Sequence, residues 1–179
     1  DKTAVTARRF MIAAANPHAV DAGYAMLARG GSAVDAAIAA QLVLTLVEPQ
    51  SSGIGGGLFL VHHDGRRVQA YDGRETAPSE AGPGLFLREG RPMAMAEAMV
   101  GGRAVGVPGV LRMLEAAHRQ GGHLPWARLM APAIQLAEEG FELGPRLHAL
   151  LQRAYALQAD PAGRAHYYLA GPADAAPQA

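Results

Sequence analysis

Glu48-Pro49-Gln50-Ser51-Ser52-Gly53-Ile54-Gly55-Gly56-Gly57 closes one kind of structure and opens another. Before it, residues 33–47 are apolar almost all round, with Val34, Ile38, Leu42, Val43, Leu44 and Leu46 set among alanines. A helix of that composition belongs inside a core, and Pro49 stops it. After the loop, Leu58-Phe59-Leu60-Val61-His62-His63 reads as a strand. Asp64-Gly65 reads as a two-residue hairpin turn, because both residues tolerate positive φ. Residues 66–71 return as the second strand, Asp72-Gly73 breaks it, and Arg74-Glu75-Thr76-Ala77-Pro78 follows. This succession predicts an α/β chain, helix-rich with a β-hairpin.

Working outward toward the N-terminus, Ser32 is placed to cap the core helix, with Asp35 completing a capping box. Gly30-Gly31 ends a preceding helix that starts at Pro17 behind the N-cap Asn16. Residues 10–15 form a short apolar run that suits a buried strand. Toward the C-terminus, Val105-Gly106-Val107-Pro108-Gly109 opens a helix over 110–120. Pro125 and Trp126 open another that stops at Gly140, and a last helix is predicted over 145–158. Residues 1–158 read as one unit. Residues 159–179, rich in Ala, Pro and Gly without periodicity, read as an irregular tail or a truncated edge.

Composition narrows the function. The chain has 179 residues, half of them apolar and under a fifth charged, which suits a packed core rather than disorder. Formal net charge is zero, so no electrostatic case exists for a nucleic-acid partner or an anionic membrane. No cysteine is present, which excludes disulfides, thiol nucleophiles and Cys-ligated zinc. Residues 1–9 are polar and do not read as a signal peptide. The apolar run 36–47 is too short to span a bilayer.

Few side chains point to chemistry. The glycine loop follows a helix and opens a strand, the reverse of a dinucleotide-binding context, which argues against a phosphate cradle. Two readings stay open: close passage of backbone, or room for another segment or a substrate. Arg74, just beyond a strand end, can grip a carboxylate in a bidentate fork. On the residues alone, a solvated pair with Glu75 or Asp72 outweighs that reading. His62 and His63 are neighbours on a strand and point to opposite faces, so they cannot share a metal. The other histidines match no zinc spacing. Ser51-Ser52 lacks a nucleophile-elbow context, and no acid/base pair stands out. No catalytic residue, cofactor site or metal site is therefore expected in this chain.

The order of motifs resembles one family, the γ-glutamyltransferases (γ-glutamyl transpeptidases), which are N-terminal-nucleophile hydrolases. The resemblance rests on Ala14-Ala15-Asn16-Pro17-His18-Ala19, Gly30-Gly31-Ser32-Ala33-Val34-Asp35-Ala36-Ala37, the opening stretch, Arg74-Glu75-Thr76-Ala77-Pro78 and Gly106-Val107-Pro108-Gly109. Residues 131–141 extend it. It implies the N-terminal portion of a four-layer αββα sandwich, belonging to a precursor that cuts itself into two subunits. The resemblance further implies that the small subunit's N-terminal threonine attacks the γ-glutamyl amide of glutathione or a related compound. It implies that Arg74 binds the α-carboxylate of that substrate. The implied partners are a small γ-glutamyl substrate and the C-terminal region or small subunit of the same precursor. A periplasmic or secreted location follows from family habit only.

Two departures qualify the resemblance. This chain has no counterpart of the segment that carries the threonine nucleophile, so the fragment alone is expected to be inactive. Gly73 stands where an aromatic residue is common, which is expected to leave more room beside the carboxylate. The alternatives are a glutaryl or β-lactam acylase on the same fold, or a non-catalytic binding or assembly module.

Overall fold

The computed structural model describes residues 3–168. In chain order it contains α1 (Pro17–Ala28), α2 (Ala33–Val47), the hairpin β1 (Leu58–His63) and β2 (Val68–Gly73), and a minimal hairpin β3 (Leu87–Arg88) and β4 (Arg91–Pro92). Then come α3 (Met95–Ala98), a 3₁₀ turn (Gly102–Ala104), α4 (Val110–Gly121) and α5 (Trp126–Glu139). Three short helices follow: α6 (Pro145–Leu151), α7 (Tyr155–Ala159) and α8 (Pro161–Tyr167). No helix among the described residues is long and apolar enough to cross a membrane.

Local chemistry sets the first two helices. Asn16 Oδ1 accepts from His18 N at 3.0 Å, and Pro17 supplies a pre-set first turn. Gly30 takes φ +84°, and the N–H groups of Gly30 and Gly31 bond back to Leu27 and Met26 in a Schellman ending. The predicted capping box is present: Asp35 N donates to Ser32 Oγ and Ser32 N to Asp35 Oδ2.

The core is built around α2, which packs on α1, α4 and α5. Ile38, Ala39 and Val43 are fully buried, as are Ala19 of α1, Ala117 of α4 and Leu129 of α5. Each large aliphatic removed from water contributes roughly 1.5–3 kcal/mol before entropy. The α4 helix also packs on β2, which carries the core to the end of the long hairpin.

Asp35 does more than cap. Its Oδ2 also accepts from His123 N at 2.9 Å and Leu124 N at 3.2 Å, in the link between α4 and α5. His118 donates from Nε2 to Leu124 O at 2.8 Å and sits 3.7 Å from Asp35 Oδ1, with Trp126 packed edge-on against its ring. One buried carboxylate thus ties the start of α2 to the α4–α5 link, 88 residues away in sequence. Asp35→Asn keeps an acceptor but removes the charge from these bonds. We expect it to cost about 1–3 kcal/mol, read as a lowered thermal midpoint; an unchanged midpoint would show that the clasp contributes nothing.

Four expectations need correction. Residues 10–15 form no strand: Phe10, Ile12 and Ala14 are half-buried and alternate with exposed neighbours, but no strand among the described residues pairs with them. The period of a strand is there without a ladder partner. The hairpin turn is shifted by one residue: Asp64 N bonds to Arg67 O, so Gly65 and Arg66 are the central pair. Only Gly65 takes positive φ. Asp64 instead accepts from Arg67 N at 2.9 Å and Arg66 N at 2.8 Å, and these two bonds hold its carboxyl below the ordinary Asp value.

The helix expected over 145–158 ends at Leu151, where side chains take over its free carbonyls. Gln158 Nε2 donates to Leu151 O and Gln152 O, and Tyr168 Oη donates to Leu151 O at 2.6 Å. The segment expected to be irregular after residue 158 carries α8, capped by Asp160 through Gly163 N at 2.7 Å. The rest of that expected tail, residues 169–179, lies outside the described residues.

The register of the long hairpin pairs Leu58 with Gly73 and His63 with Val68. Leu58, Leu60 and Tyr71 face the core, whereas Phe59, Val61 and Val68 are 66%, 74% and 67% exposed. The outward face of this hairpin is therefore largely apolar, with His63 and Asp72 at its ends.

Candidate functional site

The site is the segment where β2 runs out. Asp72 Oδ1 accepts from Arg74 N at 2.9 Å and turns the backbone there. Thr76 and Val107 exchange both backbone bonds, Thr76 N to Val107 O at 3.3 Å and Val107 N to Thr76 O at 2.9 Å. That bridge fastens residues 74–76 to the loop before α4.

Glycines make this crossing possible. A Cβ on Gly57 would lie 2.8 Å from Arg74 Cα and 2.5 Å from Glu75 Oε2. One on Gly106 would lie 2.8 Å from Glu75 Cβ, and one on Gly109 only 2.3 Å from Gly73 O. Gly56 O accepts from Gly109 N at 3.0 Å and from Val110 N at 3.3 Å, locking the glycine loop to the start of α4. Of the two readings left open for the loop, close passage of backbone is the one realised at Gly57. Gly53 and Gly55 face open space.

The loop's entry is fastened too. Gln41 Nε2 donates to Ser52 Oγ at 2.7 Å, so Ser52 serves the scaffold. The buried Glu48 carboxylate accepts from Gln50 at 2.5 Å and from Arg146 of α6 at 3.3 Å.

Arg74 emerges from this frame with its side chain 58% exposed. Its Nη1 lies 3.0 Å from Glu75 Oε2. That oxygen is buried and accepts no hydrogen bond, so the guanidinium charge is its only partner among the described residues. The pair foreseen between Arg74 and Glu75 is thus formed, with an acid more buried than a solvated surface pair would have. Arg74 lines a cleft of about 340 Å³ whose other walls are residues 75–78, Leu85 and Phe86, and residues 103–106.

Gly73 corrects another expectation. The space its missing side chain frees is filled: a Cβ there would sit 2.6 Å from Met113 Cβ. Met113 of α4 occupies the volume, so no extra room opens beside Arg74. His62 is half-buried and His63 exposed, on opposite faces as their spacing requires. Among the described residues no three His, Asp or Glu side chains come together as a metal site.

Sequence reading singled out Arg74 but not its supports. Gly106, Gly109 and Met113 lie more than thirty positions downstream, and only the turn-like Gly106-Val107-Pro108-Gly109 marks them. The buried placement of Glu75 has no local signature.

The chain is similar to known proteins. The profile of one family, Gamma-glutamyltranspeptidase, matches residues 19–178. The glutathione hydrolase proenzyme of Bacillus subtilis strain 168 is 43% identical over 136 residues, covering 74% of this chain and 23% of that protein. The crystal structure of Helicobacter pylori gamma-glutamyltranspeptidase superposes with a TM-score of 0.88 at 30% identity, over 94% of this chain and 49% of that one. The cephalosporin acylase from Bacillus halodurans gives a TM-score of 0.64 at 32% identity, over 86% of this chain and 30% of that one. The chain therefore spans about a quarter of the length of the curated relative and half of the solved transpeptidase chain. Its helices and single long hairpin are those of the N-terminal portion of the N-terminal-nucleophile hydrolase fold that the solved transpeptidases share.

Proposed function

The chain belongs to the γ-glutamyltranspeptidase family, and from that premise we propose that it is the carboxylate-binding part of an enzyme acting on γ-glutamyl amides. The reaction is transfer or hydrolysis of the γ-glutamyl group of glutathione-like donors. The observation that carries the reading is Arg74, which lines a cleft, follows directly on residues that the glycine loop and the Gly106–Gly109 segment pass closely, and forms an ion pair with its neighbour Glu75. A guanidinium so fixed offers a planar fork to a carboxylate. Glu75 beside it offers a negative charge to an ammonium group. Together they complement the zwitterionic end of a γ-glutamyl group.

The nucleophile belongs to a segment outside this chain. In this reading it is an N-terminal threonine, released by self-cleavage and activated by its own α-amine. Its hydroxyl attacks the γ-carbonyl, the amine leaves, and water or an amino acid resolves the ester. The apolar outward face of the hairpin, with Phe59, Val61 and Val68, supports a covering layer from the rest of the protein.

The similarity to a cephalosporin acylase favours a second reading, an acylase for glutaryl-type side chains. A glutaryl group keeps the carboxylate but lacks the ammonium that Glu75 would meet. A panel of γ-glutamyl and glutaryl anilides decides between the two. The complete gene product is expected to cleave the γ-glutamyl anilide, and the pure 179-residue chain to leave it intact. Turnover by the chain alone would overturn the assignment of the nucleophile to another segment.

A further inference from the structure

The cleft at Arg74 holds a second guanidinium. The charged residues that line it are Arg74, Glu75 and Arg103. Arg74 and Glu75 offset each other at 3.0 Å, so the uncompensated charge in the cleft is that of Arg103. Arg103 is the middle residue of the 3₁₀ turn Gly102–Ala104, which follows Gly101 at φ +97°. Its Nη1 donates to Leu85 O at 3.3 Å and approaches Met93 Sδ at 3.5 Å. Both contacts use the same nitrogen, and neither uses Nη2 or Nε. The side chain is thus anchored at one corner and offers two parallel donors, the arrangement that suits a carboxylate. Leu85 and Phe86 add apolar wall to the same cleft.

We propose that Arg103 is a second carboxylate-binding residue of this cleft, selecting donors that carry a free carboxylate on the leaving group as well as the α-carboxylate. This rests on the γ-glutamyl reading of the same site. Arg74 and Glu75 take the neutral zwitterionic end, and Arg103 takes the remaining negative charge at the far end of a γ-glutamyl peptide. A donor with an uncharged leaving group leaves Arg103 without a counter-charge. Arg103 touches no reacting atom in this scheme and acts on specificity alone.

The test uses the complete gene product and two substrates, a γ-glutamyl peptide with a free C-terminal carboxylate and its C-terminal amide. The wild type is expected to prefer the acid about tenfold in kcat/KM, the size of one charge-assisted contact. Arg103→Gln is expected to bring that ratio close to one through a loss on the acid, and Arg103→Lys to restore part of it. Raising the salt concentration should narrow the wild-type ratio. A wild type without preference overturns the proposal. So does an Arg103→Gln variant that loses equally on both substrates, since that reports only its hold on Leu85. Cleavage of neither peptide by the wild type overturns the γ-glutamyl reading and this proposal with it, whereas cleavage of both at equal rates overturns this proposal alone.

Discussion

Gly109→Val is expected to destabilise the fold by at least about 3 kcal/mol and to disturb the site with it. The first atom of the new side chain would stand 2.3 Å from Gly73 O, 2.7 Å from Gly73 C and 2.9 Å from Arg74 O. All three are backbone atoms, and no side-chain rotation relieves the clash. Overpacking a dense region costs about 1–3 kcal/mol when side chains can yield, and more when they cannot. Relief requires α4 to move away from β2. That movement breaks the bonds from Gly109 N and Val110 N to Gly56 O and loosens Met113 from Gly73. A thermal melt reads the stability, and a mutant as stable as the parent would show that the crossing is looser than described. Gly53→Ala is the matched control, because its Cβ would meet nothing within 4 Å.

Arg74→Ala is expected to weaken binding of γ-glutamyl donors to the complete enzyme by about 2–5 kcal/mol, roughly 30- to 4,000-fold. That is the range for removing one partner of a desolvated charge pair. In the proposed reading, a donor bound over the exposed Arg74 makes it such a partner. The variant has a second effect: the buried Glu75 Oε2 loses its only counter-charge among the described residues. Arg74→Lys separates the two. It keeps a cation beside Glu75 but loses the planar fork, so stability should be retained while binding falls. A donor KM unchanged in Arg74→Ala would remove Arg74 from the site.

The succession of helix, glycine loop, hairpin and arginine is legible because each step has a local cause. Pro49 stops α2, Ser32 and Asp35 start it, and the apolar content of residues 33–47 places it in the core. Where local signals compete, the outcome depends on what the fold supplies. Asp64-Gly65 tolerates a primed turn, but the Asp64 carboxylate gains more by accepting two N–H bonds, and the turn moves by one residue. Residues 10–15 carry a strand's alternation, yet nothing nearby offers a ladder.

Only part of the candidate site has a signal in the sequence. Arg74 stands out by its place after a strand, and the resemblance raised it above the solvated-pair reading. Its frame was hidden, because Gly57, Gly106 and Gly109 meet residues 73–75 only in three dimensions. Nothing local distinguishes a glycine that clears a path for backbone from one in a plain turn. The same limit misplaced Gly73, whose missing side chain makes room for Met113 rather than for a ligand.

The most direct test of Arg74 as the carboxylate clamp is a cycle of two enzymes and two substrates. Wild type and Arg74→Ala are each assayed for kcat/KM on a γ-glutamyl anilide and on the same anilide without its α-carboxylate. Removing the carboxylate should harm the wild type by about as much as removing Arg74 does, and should harm Arg74→Ala little further. Equal losses in both enzymes on deleting the carboxylate would contradict the clamp and leave Arg74 as a partner of Glu75 alone.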